Sequence, residues 1–267
     1  MLILLFISSV ISISALEWEL FLTDVSYLTM RANIMWKLEG GPYTGAEGRQ
    51  SYLWNDASKD WILQPSGLGV SIILSSTHAY LLNEQKRIYQ RLKDNTGSAW
   101  MDTHQDANDI KVSGNERIWI ASNTATSGGF TINELNPSSP FALTLHSSQG
   151  AKKVAAGSDD TIWIVTDTGA IKRYSPWTST WENIPGSARD IYVAYTGIPY
   201  IVGTTEVEGG YEIKKWNNVA NDWETLEGIG GESIAIDDRH NVHVVTRNFS
   251  VYRQIGASLY NFCPSNR

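Results

Sequence analysis

Short apolar runs separated by polar, turn-forming clusters repeat along this chain, and residues 151–186 show the pattern most clearly. A run that begins at Val154 ends in Ser158-Asp159-Asp160, and Ile162-Trp163-Ile164-Val165 leads into Asp167-Thr168-Gly169. A third run, Ile171 to Tyr174, is followed by a loop and by Trp181-Glu182-Asn183-Ile184, which stops at Pro185-Gly186. Runs of this length, rich in β-branched and aromatic residues and bounded by Gly, Asp, Ser and Pro, predict four antiparallel strands. A sheet apolar on both faces cannot stand alone and must stack on neighbours of its own kind.

The same spacing recurs. Val154 and Trp163 match Ile110 and Trp119, Ile191 and Tyr200, and Ile234 and His243, nine residues apart each time. Val70 with Tyr80 and Val25 with Trp36 extend the series, so the first-strand anchors are about 42 residues apart. Third strands follow at Tyr52, Ile88, Ile132, Ile171, Ile213 and Val251, and a tryptophan opens the fourth at Trp61, Trp100, Trp181 and Trp223. Leu143-Thr144-Leu145 replaces it in the third copy. Four short strands at this period predict an all-β fold, a six-bladed β-propeller of four-stranded antiparallel blades. The repeats cover roughly 23–64, 65–104, 105–147, 148–185, 186–227 and 228–262.

The two ends complete each other. Residues 16–22 contain Trp18-Glu19-Leu20, which matches Trp181-Glu182-Asn183 and Trp223-Glu224-Thr225, a fourth strand with no first three before it. The sixth copy ends weakly at Leu259-Tyr260-Asn261-Phe262. The expectation is that residues 16–22 join the last blade and close the ring, removing its open edges.

Composition narrows the class. With 18% charged residues, 22 Gly and 11 Trp in 267 residues, the chain is globular. A net charge of -7 shows no basic footprint for nucleic acid. Residues 1–15 form an apolar run ending in small residues, too short to span a bilayer. They predict a signal peptide cleaved near Ser14-Ala15 or Ala15-Leu16, hence a secreted protein without membrane insertion. The single cysteine, Cys263, lies in the tail 263–267 and has no intrachain partner; in an oxidising compartment it could link two chains. Asn248-Phe249-Ser250 is an N-glycosylation sequon.

The runs Asp109-Ile110-Lys111-Val112-Ser113-Gly114 with Arg117-Ile118-Trp119-Ile120, and Val154 to Gly157 with Thr161-Ile162-Trp163-Ile164, resemble the tectonin-type β-propeller repeat, as do Ile171-Lys172-Arg173-Tyr174 and Trp181. The resemblance covers residues 16–262, strongest in copies three to five. It implies a six-bladed propeller and, for a secreted member, carbohydrate binding. The partners it implies are glycans or glycoproteins, with self-association adding avidity. The alternative is a structural or adaptor propeller in extracellular protein assembly.

No catalytic constellation is visible, so the expectation is a non-catalytic protein without cofactor. Ser158-Asp159-Asp160-Thr161 lacks the glycine of a sialidase Asp-box, and no serine sits in a nucleophile elbow. His240 and His243, and the aspartate pairs Asp159-Asp160 and Asp237-Asp238, read as turn and packing residues rather than metal ligands. The second-to-third-strand connections are long and glycine-rich in copies one, three and five (39–49, 123–130, 204–211). They share a face with the segments leading into each first strand. A sugar site needs an aromatic face for C–H groups and polar groups for hydroxyls. Tyr43, Tyr211, Arg189, Asp190 and Asp109 supply these on that face, and Trp177, off both repeated tryptophan positions, is a further candidate.

Overall fold

Runs of Ile, Val, Trp and Tyr that alternate between two packing faces put most of the chain into extended strand. The computed structural model describes residues 17–43, 45–94, 97–138 and 141–255; the expected signal peptide and Cys263 lie outside the described residues. The first strand is β1 (Glu17–Leu22). The first four-stranded unit follows as β2 (Val25–Arg31), β3 (Ile34–Glu39), β4 (Arg49–Asn55) and β5 (Asp60–Gly69). The second is β6 (Ser71–Leu74), β7 (His78–Leu82), β8 (Arg87–Leu92) and the start of β9 (Met101–Val112). The rest of β9 pairs with β10 (Ile118–Thr126) to begin the third unit, completed by β11 (Gly129–Asn136) and β12 (Ala142–Ala151).

The fourth unit is β13 (Lys153–Ala156), β14 (Ile162–Val165), β15 (Ala170–Ser175) and β16 (Thr180–Ser187). The fifth is β17 (Asp190–Val193), β18 (Pro199–Val207), β19 (Gly210–Asn217) and β20 (Asp222–Gly231). The sixth has three strands in sequence, β21 (Ser233–Ile236), β22 (Val242–Val245) and β23 (Val251–Ile255). Its outer strand is β1, antiparallel to β23 with Trp18 opposite Gln254. Stacked four-stranded antiparallel units of this kind make a β-propeller.

Strand register corrects two expected anchors. Ile72 and Leu28, not Val70 and Val25, occupy the position of Val154: Ile72 pairs with Leu81 as Val154 does with Ile164, and Leu28 pairs with Lys37. The reason lies in β5, which runs on to Gly69 and shifts the second unit's start, and in a bulge between Val25 and Tyr27 in the first. The fourth-strand positions agree with expectation. Trp61, Trp181 and Trp223 face Trp54, Tyr174 and Trp216, and Leu143 faces Leu135.

One packing rule holds the units together. A second-strand residue of one unit meets a third- and a fourth-strand residue of the next. Trp163 meets Trp216 and Trp223 at ring separations of 5.8 and 6.1 Å. Trp36 meets Trp100 at 5.8 Å, with the Arg91 guanidinium over both rings. Trp119, Tyr174 and Trp181 share a cluster with His146 wedged between the first two, and Tyr80, Leu135 and Leu143 share another. Trp36 and Trp119 are fully buried, and each such side chain stabilises the stack by about 3 kcal/mol.

Trp18 follows the rule although it comes from the opposite end of the chain. It packs in one cluster with Tyr200 and donates its indole N–H to Glu227 O at 2.9 Å. Trp223 donates to Pro185 O at the same distance. The residues after those carbonyls, Gly186 and Gly228, have φ of +93° and +82°, and a Cβ on either would come within 3.4–3.8 Å of the Cδ1–Nε1 edge of its indole. Between the first and last units, Val25 N–H donates to Phe249 O at 3.0 Å, and Val25, Leu28, Ala235, Val245 and Val251 form one buried cluster.

Candidate functional site

Antiparallel connections sort the loops onto two faces. Second-to-third-strand loops and fourth-to-first segments share one; first-to-second and third-to-fourth turns share the other. The expected long loops of the third and fifth units are largely strand, because β10 with β11 and β18 with β19 extend as hairpins to Gly128-Gly129 and Gly209-Gly210. Their function is partly architectural. Glu47, Gly128 and Gly209 each accept a backbone bond from the next unit, from Glu84, Asp167 and Arg247 at 2.9, 3.0 and 2.8 Å. The glycines that follow, Gly48, Gly129 and Gly210, have φ of +133°, +136° and +150°, and a Cβ there would meet backbone within 2.6 Å. The odd-numbered units therefore latch onto the even-numbered ones.

Asp109 and Asp190 are not on an open face. Each starts a first strand beside the axis and is buried in a quartet with Lys111 and Lys153. Lys111 Nζ lies 3.3 and 3.8 Å from the two carboxylates, and Lys153 Nζ 3.5 Å from both. Asp109 also accepts from Val154 N–H at 3.0 Å, and Asp190 from the Tyr192 hydroxyl at 3.1 Å. Burial alone would lower the Lys111 and Lys153 pKa, but Asp109 and Asp190 override it and hold both raised. Burial likewise opposes the charge on Asp190, yet the two ammonium groups keep its carboxyl below the usual range. Two positive and two negative charges balance, so the quartet is a neutral pin at the axis. Beyond it, a cavity of about 130 Å³ lined by Tyr27, Lys111 and Tyr192 opens toward Arg31 and Asp237 on the opposite face.

The other expected residues are spread out. Tyr43 is exposed; its hydroxyl donates to Glu84 at 2.9 Å and the Arg49 guanidinium lies 4.6 Å from its ring. Burial and the bond to Glu84 raise its pKa. Tyr211 is covered by two guanidiniums, Arg189 at 4.0 Å and Arg247 at 5.4 Å. Both tyrosine rings are thus engaged by cations. Trp177 is 86% exposed in the turn from β15 to β16, on the face opposite to Tyr43 and Tyr211. Asp109 meets Asp190 and Arg189 meets Tyr211, but the six residues do not converge on one site. His243 is buried, packs 4.9 Å from Phe21, and has its pKa pushed down to about 4 by burial.

Sequence reasoning passed over a groove between the fifth and sixth units. It has a volume of about 590 Å³. Trp18 and Tyr252 line it from the sixth unit, and Glu208, Glu212, Thr225 and Glu227 from the fifth. Asn248, the sequon residue, stands exposed on its wall, with its carbonyl accepting from Thr246. The one signal in the sequence was indirect: Trp18 belongs to the strand that the repeat pattern left over.

No family model matches this sequence, and no curated protein matches it. In fold it is similar to the solved structure described as YCF48 bound to D1 peptide, with a TM-score of 0.58 over 87% of this chain and 78% of that one at 12% identity. As many as 690 solved chains match, so the likeness establishes the propeller and does not select a function.

Proposed function

We propose that this chain is a secreted, six-bladed propeller, closed by its N-terminal strand, that binds carbohydrate without catalysis in the groove beside Trp18. Support for the closure is that Trp18 repeats the indole-to-carbonyl bond and the adjoining positive-φ glycine of Trp223. The groove carries the binding reading. It falls in the size range of ligand pockets, and Trp18 and Tyr252 offer aromatic surface to the C–H face of a sugar ring. Glu208 and Glu227 offer acceptors, and Thr225 a hydroxyl that donates or accepts, for the sugar's hydroxyls around them. Tyr43 and Tyr211, with their rings held by arginine, are the architecture of the latched face in this reading. A glycan array on the purified protein tests it: binding that free sugar inhibits is expected. Tyr252→Ala should reduce that binding at an unchanged melting temperature, whereas Tyr43→Ala should leave it intact. Silence across the array at high protein concentration ends the reading.

A second reading, an adaptor that docks a protein, draws on the opposite face, where Trp177, Tyr195 and Val219 are exposed at 86%, 59% and 97%. The structural neighbour's peptide complex is a precedent for a propeller holding a polypeptide. Loss of a captured partner on Trp177→Ala, with glycan binding untouched, would favour it. Secretion also implies a glycan on Asn248, which a mass shift after glycosidase treatment would reveal.

A further inference from the structure

The groove's charge is one-sided. Glu208, Glu212 and Glu227 line it, and among the described residues no lysine or arginine does. Glu212 is largely buried and committed to Lys214 at 3.0 Å, while Glu208 and Glu227 are exposed and form no ion pair among the described residues. The cations beside the groove are already spent: Lys214 on Glu212, and Arg247, which stands between the lining residues Thr246 and Asn248, on Glu206 and Glu232. A wall of uncompensated carboxylates repels acidic sugars and sulfated glycans, while a neutral sugar gains from it only hydrogen bonds to its hydroxyls. An ammonium group gains twice, from the carboxylates and from the faces of Trp18 and Tyr252.

We infer that the sugar this groove takes carries a free, protonated amine: an amino sugar that is not N-acetylated. The inference rests on the glycan-binding reading above and names its ligand class. Specificity then comes from electrostatic complementarity more than from contact area, so binding should weaken as salt rises.

The test titrates the full protein, made in a host that does not N-glycosylate, with glucosamine oligomers and with N-acetylglucosamine oligomers of equal length at pH 6. The deacetylated series should bind about tenfold more tightly, and Glu208→Gln and Glu227→Gln should each remove about threefold of that preference. The circular dichroism spectrum of each variant checks that it folds. Equal binding of the two series, or a preference that survives both substitutions, overturns the amine inference and leaves glycan binding standing. Binding of a lysine ester with no binding of either oligomer overturns the glycan reading instead. No binding of any of the three overturns both.

Discussion

Three seams in this propeller are built to one plan, and one of them differs where it matters. Between the first and second, third and fourth, and fifth and sixth units, the second-to-third-strand connection latches onto the next unit through one backbone bond. In the first of these seams Gln85 reaches across to Ala46 O at 2.7 Å. In the second, Lys172 reaches Gln149 at 3.1 Å. The third seam holds Asn248 where the first has Gln85, and its side chain turns back to Thr246. It holds Tyr252 where the second has Lys172, and Tyr252 lines the groove. Shared backbone architecture with divergent crossing side chains is what separates a glued seam from an open one. A loop's length therefore says little about binding until one knows what it is tied to.

The most severe way to break the comparison is to remove the strand that makes the third seam unusual. Deleting residues 17–22 strips β23 of the one outer partner it has among the described residues and exposes its edge, so soluble, cooperatively folding protein should be lost altogether. Size-exclusion chromatography decides it; a monomer with an unchanged melting curve would refute the closure. Next in size is the axial pin. Lys111→Met leaves two buried carboxylates facing one ammonium and should cost about 3–5 kcal/mol in denaturant unfolding. Replacing all four charged residues together with apolar ones of similar volume should cost far less, because no charge is then left unpaired.

The seam between the sixth and first units has His243 where the other units have tryptophan or tyrosine, and this gives a pH signature. Burial holds its folded pKa near 4, against about 6.5 when unfolded. Between those values the unfolded chain binds a proton that the folded chain does not, so stability falls as pH drops through that window. The loss amounts to about 3 kcal/mol once pH is below 4. Burial lowers His146 and His78 as well, which adds in the same direction. His243→Phe should flatten the profile in urea unfolding from pH 7 to 4; a slope that persists unchanged assigns it elsewhere. Smaller again is the latch: Gly129→Ala or Gly210→Ala should each cost about 2 kcal/mol, since the backbone leaves no space for a Cβ. Gly41→Ala, with φ +82° but nothing within 4 Å, should cost less.

The repeat was legible in the sequence because its signals are local: strand length, turn residues and tryptophan at fixed offsets. The orphan strand at Trp18 was legible for the same reason, as a copy of Trp223. Asp109 and Asp190 show where that reasoning stopped. An aspartate ahead of a first strand looks like a loop residue until the lysines that pair with it, two and forty-four positions from Asp109 in the chain, are brought to the axis by stacking. The arginines on Tyr43 and Tyr211 were hidden likewise, since Arg189 and Arg247 reach Tyr211 from separate strand connections. The groove is the extreme case. Its walls come from both ends of the chain, so no window of sequence contains it.

The smallest structural effect and the sharpest functional one should come from the residue that sets the third seam apart. Tyr252→Lys gives this seam the residue type found at the same place in the second. In the second seam that lysine finds Gln149; here the matching position is Ile229, and the carboxylates of Glu208 and Glu227 are the attraction instead. The side chain should therefore stay in the groove as a tethered amine. A partly exposed substitution of this kind should change stability by no more than about 0.5 kcal/mol. Sugar binding should nevertheless disappear, because the ligand's place and its charge partners are both taken. Calorimetry with the glucosamine oligomers separates the two effects, and undiminished affinity in this variant would mean that the binding surface lies outside the groove.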